Sequence, residues 1–305
     1  MASFRSRAYA GDLDLPLLTR FASESLGERF PHDAQWHPGD IAWDLCCFID
    51  EEDVRLWLEG ERVVAAAWFD GPDQLCMETR PALTEVASDV LAWGDARLAS
   101  KSADPGAALK VRAFNTDASR TRLLQGLGYE RARAGAVHFR RDLALPIPEM
   151  SLPEGMAIVD CRDIDLDQRV ACHRDAWSHL EEIGIKDAES GFSGEHYLRL
   201  RSMAAYDPEL DLLVRTGEGE LVANCICWTD EASRIGTFEP LGVCAAWRRQ
   251  GLARELIFEG LRRLKQRGMA WARIHTANYN TPAIAAYLSC GFEVLDEARF
   301  WTRGA

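Results

Sequence analysis

The sequence predicts two α/β domains in tandem, each built on a mixed, mainly antiparallel sheet with flanking helices. Three observations lead to this fold class: a proline-rich break near the middle, a repeated order of segments on its two sides, and a strand–loop–helix segment of distinctive composition in the second half. The length of 305 residues fits two domains of ordinary size.

The proline-rich break lies at residues 143–155, with the sequence LALPIPEMSLPEG. Pro146, Pro148 and Pro153 remove backbone donors and fix φ, so neither a continuous helix nor a central strand can pass through. We therefore expect one domain at 1–145 and a second at 146–305.

Similar segments occur in the same order on both sides of the break. GDLDLP near position 11 matches RDIDLD near 162, EGERVVAAAWFD at 59–70 matches EGELVANCICWTD at 218–230, and LGYE at 127–130 matches CGFE at 290–293. Such internal repetition indicates one structural unit used twice. Each half is expected to contain a strand, one or two helices, several antiparallel strands, a long helix, a strand, a helix and final strands.

The strand–loop–helix segment begins at Ile235 with an apolar run typical of a strand. The pattern R-x-x-G-x-A follows at 248–253, and leucines then recur at helical spacing as far as Leu264. Gly251 and Ala253 are small enough for a ligand to approach the backbone, and the positive end of the helix attracts anions. The segment therefore predicts a binding loop for the diphosphate of a nucleotide-like cofactor.

This segment resembles motif A of the GNAT superfamily of acyl-CoA-dependent N-acyltransferases. A second block, N-x-x-A-x-x-x-Y-x-x-x-G-F from Asn280 to Phe292, looks like motif B of the same family. Two positions depart from motif A, since Ala245 replaces a common proline and Arg249 a frequent glycine, but both keep their N–H groups. The resemblance implies that acetyl-CoA is the acyl donor and that it is bound by Leu241, Gly242, Val243, Ala245, Arg248, Arg249, Gln250, Gly251, Leu252, Ala253, Asn280 and Tyr287.

Two side chains are candidates for the chemistry. Glu239 lies four residues before Val243, hence on the same face of a regular strand, and is the candidate base; it could instead cap nearby backbone groups. The resemblance implies that Tyr287 protonates the departing thiolate. Reference pKa values make that transfer uphill by about 2 kcal/mol, so the site must lower the pKa of the phenol or relay the proton. Tyr287 could also be a core aromatic, because it continues an apolar helical stripe.

The first half departs from both motifs. Aligning Gly128–Tyr129 with Gly291–Phe292 places Leu124 opposite Tyr287, and the long helix of the first half has no glycine in its entry turn. Three carboxylates, those of Glu78, Glu85 and Asp89, lie close to that turn in the sequence and are expected to repel a diphosphate. We expect a degenerate domain with a structural or acceptor-shaping role.

Composition excludes several classes of function. The formal charge of −13 argues against a nucleic-acid partner, because Lys and Arg supply most of the affinity for phosphate backbones. The nine cysteines follow no metal-binding or redox pattern, the histidines form no convincing metal pair, and no G-x-S-x-G elbow occurs. The apolar runs are too short for a membrane span or a signal-peptide core. We expect a cytoplasmic monomer or homodimer without a metal.

These features predict an N-acetyltransferase that moves an acetyl group directly from acetyl-CoA to an amine in the second domain. The alternative is an acyl-CoA-binding sensor or scaffold without turnover. The acceptor is a small molecule or a peptide amine. The loop at 179–197 contains Glu181, Glu182, Asp187 and Glu189, which either attract an amine or are simply solvated.

Overall fold

The computed structural model describes residues 4–29, 36–47, 49–80, 83, 85–104, 106–185 and 189–303. The chain forms two compact units, one of residues 1–138 with 295–305 and one of residues 139–294. The chain therefore passes between the units twice, whereas the proline-rich segment alone suggested a single boundary at 145/146.

The described residues of the first unit form five strands and four α-helices before the chain leaves it. In chain order they are β1 (Arg5–Ala8), α1 (Leu15–Arg29), α2 (Pro38–Cys47), β2 (Val54–Glu59), β3 (Arg62–Phe69), β4 (Gln74–Thr79), α3 (Val86–Lys101), β5 (Lys110–Phe114) and α4 (Ala118–Gly126). Strand β6 (Glu130–Asp142) begins in the first unit and ends in the second.

The sheet of the first unit is mainly antiparallel. Strands β1 to β4 pair antiparallel in chain order, and β4 is parallel to β5. The chain returns to this unit in a strand numbered β12 below, whose residues Ala298–Thr302 pair antiparallel with β5. From Ala65 onwards, side chains of β3 alternate between two buried clusters: Ala65 and Ala67 pack with residues of α3, and Ala66 and Trp68 with residues of α1 and α2. The helices therefore cover both faces of the sheet.

The second unit repeats this order of elements. It contains β7 (Ala157–Asp160), α5 (Leu166–Ala176), α6 (Gly194–Ser202), β8 (Asp211–Arg215), β9 (Leu221–Asp230), β10 (Ile235–Val243), α7 (Leu252–Gln266), β11 (Trp271–Ala277) and α8 (Thr281–Ser289), and β12 (Glu293–Thr302) begins here. Strands β7 to β10 pair antiparallel in chain order, and β10 is parallel to β11. Each unit thus contains a run of antiparallel pairs followed by a parallel pair.

Helix α7 packs closely on β10 because glycines occupy the contact. A Cβ at Gly236 would lie 2.5 Å from Leu264 of the helix, and a Cβ at Gly260 would lie 2.4 Å from the ring of Phe238. The leucines predicted to form the apolar stripe, Leu252, Leu256, Leu261 and Leu264, are all buried. Close packing therefore places the start of α7 beside the end of β10.

The described ranges contain neither a membrane-spanning helix nor a metal-ligand cluster. No helix there is both long and apolar enough to cross a membrane. In the same ranges, no group of three or more His, Cys, Asp or Glu side chains could hold a metal ion.

Candidate functional site

The parallel strands β10 and β11 pair only where they begin. Their register joins Ile235 to Trp271, Gly236 to Ala272 and Thr237 to Arg273, and the pairing stops there. The remaining residues of β10, from Phe238 to Val243, stay paired with β9 on the other side. The opening between the ends of β10 and β11 exposes backbone in the middle of a sheet, which is a place where an extended ligand can add hydrogen bonds.

A bulge in β10 changes the direction of its side chains at this opening. Phe238 and Leu241, three residues apart, face Cys227 and Cys225 of β9, which are only two apart. The extra residue breaks the alternation of faces. The expectation that Glu239 shares the face of Val243 by simple alternation is therefore wrong, and the position of Glu239 depends on its own contacts.

Those contacts place Glu239 beside a histidine of the neighbouring strand. Oε2 of Glu239 lies 3.9 Å from Nε2 of His275 on β11, and both side chains are partly exposed. The backbone carbonyl of Glu239 accepts a 2.6 Å hydrogen bond from Nε1 of Trp228. A carboxylate and an imidazole thus meet at the opening. Sequence reasoning missed His275 because 36 residues separate it from Glu239.

The loop after β10 turns sharply into α7. Arg249 has φ 68° and Gly251 has φ 82°, both in the left-handed region. Gly251 is the N-cap residue and provides no capping side chain. The first-turn N–H groups of α7, which have no intrahelical acceptor, are therefore left for a ligand.

The side chain of Arg248 binds the protein itself. Its guanidinium donates to the carbonyls of Val243, Ala176, Ser178 and His179 at 3.2, 3.3, 2.7 and 2.6 Å. Three of these carbonyls lie at or just beyond the C-terminal end of α5, where positive charge is favoured. Arg248 therefore ties the loop to α5, and any contact of this residue with a ligand is left to its backbone.

The end of β10 is also covered from the side of α5. A Cβ at Gly242 would lie 2.3 Å from the ring of Trp177, which stacks on His173 with centroids 4.3 Å apart. The N–H of Ala245 donates to Oδ2 of Asp175 at 3.0 Å. The sequence assigned this N–H to a ligand, whereas the structure shows it bound by a carboxylate.

A buried ion pair holds α5 and α6 in place. Arg169 of α5 and Asp211 of β8 are both fully buried and lie 3.0 Å apart. The hydroxyls of Tyr197 on α6 and of Tyr206 donate to the same carboxylate at 3.1 and 2.9 Å. Removing either charge would leave the other unpaired in the core. This network therefore anchors α5, whose C-cap residue is Trp177.

Tyr287 of α8 is buried and packs edge-on against Phe139, with ring centroids 5.6 Å apart. Burial raises the pKa of its phenol, and the negative charge of Glu239 raises it further. Of the two routes that the sequence left open, a lowered phenol pKa or relay of the proton, the first does not agree with this shift. The phenol stays protonated at neutral pH and can donate a hydrogen bond.

Two further polar residues lie at the starts of α7 and α8. Asn280 caps α8: its Oδ1 accepts from the N–H of Ala283 at 3.4 Å, and its Nδ2 donates to Oγ1 of Thr276 at 3.0 Å. Arg254, which sequence reasoning missed, has its Nη2 only 3.5 Å from the place of a Cβ on Gly251. Its Nε binds Glu255, but the residue is exposed, so its guanidinium can also reach an anion.

The acidic loop is described only in part. Glu181 and Glu189 are exposed, whereas Asp187 and the side chain of Glu182 lie outside the described residues.

This chain is similar to the model of a protein family and to individual curated proteins. Residues 176–292 match the model of the acetyltransferase (GNAT) family. The mycothiol acetyltransferase of Streptomyces bingchenggensis is 32% identical over 199 residues, which cover 62% of this chain and 60% of that protein. That of Segniliparus rotundus is 28% identical over 175 residues, 54% of this chain and 62% of that protein. These two alignments thus span about three fifths of the curated relatives.

Solved structures match over nearly the whole chain. A tandem GNAT protein from the clavulanic acid biosynthesis pathway has a TM-score of 0.66 at 15% identity, covering 99% of this chain and 98% of that one. A GCN5-related N-acetyltransferase from Sphaerobacter thermophilus has a TM-score of 0.60 at 20% identity, covering 99% and 95%. At such identities the likeness concerns the fold, and it confirms the expected class of two tandem units with mixed sheets.

Proposed function

From the match of residues 176–292 to the model of the acetyltransferase (GNAT) family, we propose that the second unit transfers an acetyl group from acetyl-CoA to an amine. One observation carries the proposal. The parallel strands β10 and β11 separate after three paired positions, and a left-handed glycine starts the helix that follows β10. The opening suits an extended amide-containing arm, and the turn suits its diphosphate.

The residues present fit such a donor. The first-turn N–H groups of α7 and the guanidinium of Arg254 would hold the diphosphate, and the partly exposed backbone of Leu241–Val243 would bind the arm. Asn280 would contribute to the site mainly by capping α8, because its side-chain amide oxygen and nitrogen both form hydrogen bonds within the protein. When bound, acetyl-CoA supplies a thioester activated for acyl transfer.

Glu239 is the proposed base. An amine with a lysine-like pKa of about 10.4 costs about 4.6 kcal/mol to neutralise at pH 7, so removing its proton needs an acceptor at the site. The partly exposed carboxylate of Glu239 can accept that proton directly or through water. The imidazole of His275, 3.9 Å from this carboxylate, is placed to exchange that proton with it. We propose that the pair acts together.

Tyr287 is the proposed hydrogen-bond donor to the leaving sulfur. Its raised pKa keeps the proton on the phenol, so the hydroxyl stabilises a thiolate without itself ionising. Of the two routes that the sequence left open, relay of the proton is the one compatible with this pKa. The carboxylate that raises the pKa, that of Glu239, is also the candidate source of the relayed proton.

Release of CoA from acetyl-CoA, measured with a panel of amines, tests this function. The free-amine form of mycothiol belongs in the panel because the curated relatives are named mycothiol acetyltransferases. Turnover with one acceptor, lost in Glu239→Gln but with acetyl-CoA affinity retained, is the expected result. Glu231→Gln is a matched control, since Glu231 is an exposed turn residue of the same unit.

Acetyl-CoA binding without turnover on any amine would favour the acyl-CoA sensor instead. Absence of acetyl-CoA binding in calorimetry would reject both.

A further inference from the structure

The first unit contains a pocket of about 490 Å³ whose lining is rich in arginine. Four arginines, Arg29, Arg80, Arg120 and Arg122, contribute to it, against two carboxylates, those of Glu85 and Asp117. Its volume is that of a small-molecule site. This concentration of positive charge stands out in a chain with a formal charge of −13.

The pocket lies where two parallel strands separate. Strand β4 pairs with β5 only at Gln74–Lys110 and Leu75–Val111, and the pocket is lined by the end of β4, the start of α3 and the first turns of α4. In the second unit, β10, β11, α7 and α8 follow the same order around their own opening. The two openings are therefore equivalent places in a repeated fold.

Arg120 makes the two openings chemically different. It is only 3% exposed and donates to the carbonyl of Met77 at 2.9 Å and to Oγ1 of Thr79 at 3.4 Å, both on β4. The 163-residue offset between the repeats places Ala283 at the corresponding position of the second unit. Where that unit has a methyl group, the first has a guanidinium bound to the separated strand.

The start of α3 is different as well. Its N-cap residue, Glu85, has right-handed helical backbone angles, whereas the N-cap residue of α7 is the left-handed Gly251. Glu85 also puts a carboxylate where a diphosphate would bind the helix end. A cofactor arm and its diphosphate are therefore both disfavoured in this pocket.

The arginines are unequally neutralised. Arg80 forms ion pairs with Glu24 and Glu28, and Arg120 with Asp117. Arg29 donates to the carbonyl of Thr79.

Neither Arg29 nor Arg122 forms an ion pair with any residue that the structure describes. The nearby carboxyl of Glu78 accepts a hydrogen bond from Oγ of Ser25, and burial raises its pKa. The carboxylate of Asp117 interacts with Arg29 electrostatically, but within the described part of the chain neither guanidinium is held in a direct ion pair.

We propose that this pocket binds a small anion, a carboxylate or a phosphate monoester, through Arg29 and Arg122. Guanidinium groups bind both anions with paired, charge-assisted hydrogen bonds. Leu123 and Ala87 supply apolar lining, which suits a ligand with a short carbon skeleton. The site is separate from the acetyl-transfer site proposed for the second unit.

Calorimetric titration of the full chain with succinate and, separately, with glycerol phosphate tests the site. We expect one of the two to bind once per chain, and the tighter one identifies the anion. Arg122→Gln and Arg29→Gln should each weaken that binding about tenfold or more, since each removes charge-assisted bonds. Arg5→Gln is the control, because it removes an exposed arginine of the same unit that is paired with Glu61.

The proposal is overturned if neither anion binds at 10 mM, or if all three variants bind equally well. It is also overturned if acetyl-CoA binds twice per chain and Arg122→Gln abolishes one of the two sites. Acetyl transfer is measured in the same variants and should be unchanged, so a failure here is distinguishable from a failure of the proposed enzyme activity.

Discussion

Substituting Gly242 by alanine should force Trp177 away from the end of β10. The new Cβ would lie 2.3 Å from Cζ3 and 2.8 Å from Cη2 of the indole, and 2.9 Å from the Cβ of Ala176, against 3.4–4 Å for ordinary contact. The ring must therefore move by about 1 Å. Because the same ring stacks on His173, the displacement disturbs that contact too.

Overpacking of this kind costs about 1–3 kcal/mol. For a folding unit of this size, that corresponds to a fall in melting temperature of about 2–12 °C. Thermal and urea unfolding of the full chain measure the effect. Gly191→Ala is the control, because its Cβ would meet nothing within 4 Å and the φ of Gly191 is not in the left-handed region.

A double-mutant cycle with Trp177→Phe identifies the cause. Phenylalanine lacks the outer indole atoms that clash, so Gly242→Ala should cost less than half as much in that background. The packing explanation would be refuted by a Gly242→Ala protein as stable as Gly191→Ala, or by strictly additive effects of the two substitutions.

The other predictions concern binding, chemistry and pH. Gly251→Asp puts a Cβ at φ 82° and a carboxylate at the start of α7. It should abolish acetyl-CoA binding in calorimetry while the circular dichroism spectrum stays unchanged. Undiminished acetyl-CoA affinity would show that this loop is not the binding site. Tyr287→Phe should lower kcat by about 10²- to 10⁴-fold with little change in acetyl-CoA affinity, and normal single-turnover rates would make the phenol a packing residue. Burial lowers the pKa of His173 to about 3, below its unfolded value of about 6.5. As the pH falls, the unfolded state therefore takes up a proton before the folded state does. The free energy of unfolding should fall between pH 6.5 and pH 3, by up to about 1.4 kcal/mol per pH unit. In His173→Phe, which keeps a ring against Trp177, that part of the pH dependence should disappear from urea unfolding curves; an unchanged slope would assign it to other groups.

Features set by short-range backbone chemistry could be predicted from the sequence. Gly251 lies in the turn that starts α7, and the leucines of α7 are buried, as the sequence predicted. The repeated order of elements also agrees with the two units. Each depends on residues a few positions apart, where one side chain or one missing Cβ decides the local conformation.

Even over short distances, a single inserted residue escaped prediction. The bulge after Phe238 breaks the alternation that placed Glu239 on the face of Val243. The sequence of an apolar strand does not indicate which of its residues forms a bulge, because pairing with β9 decides the register.

Tertiary structure alone decided which distant groups meet. Arg248 reads as a cofactor ligand in its motif, but the carbonyls that end α5 bind its side chain first. His275 becomes a partner of Glu239 only because β10 and β11 are neighbours. In the first half, the sequence showed the carboxylates near α3, whereas the arginines that line the pocket come from positions 29, 80, 120 and 122. Charge and hydrogen bonding act through space between residues that are far apart in the chain. Neighbouring residues specify a turn, whereas these contacts depend on how whole helices and strands pack.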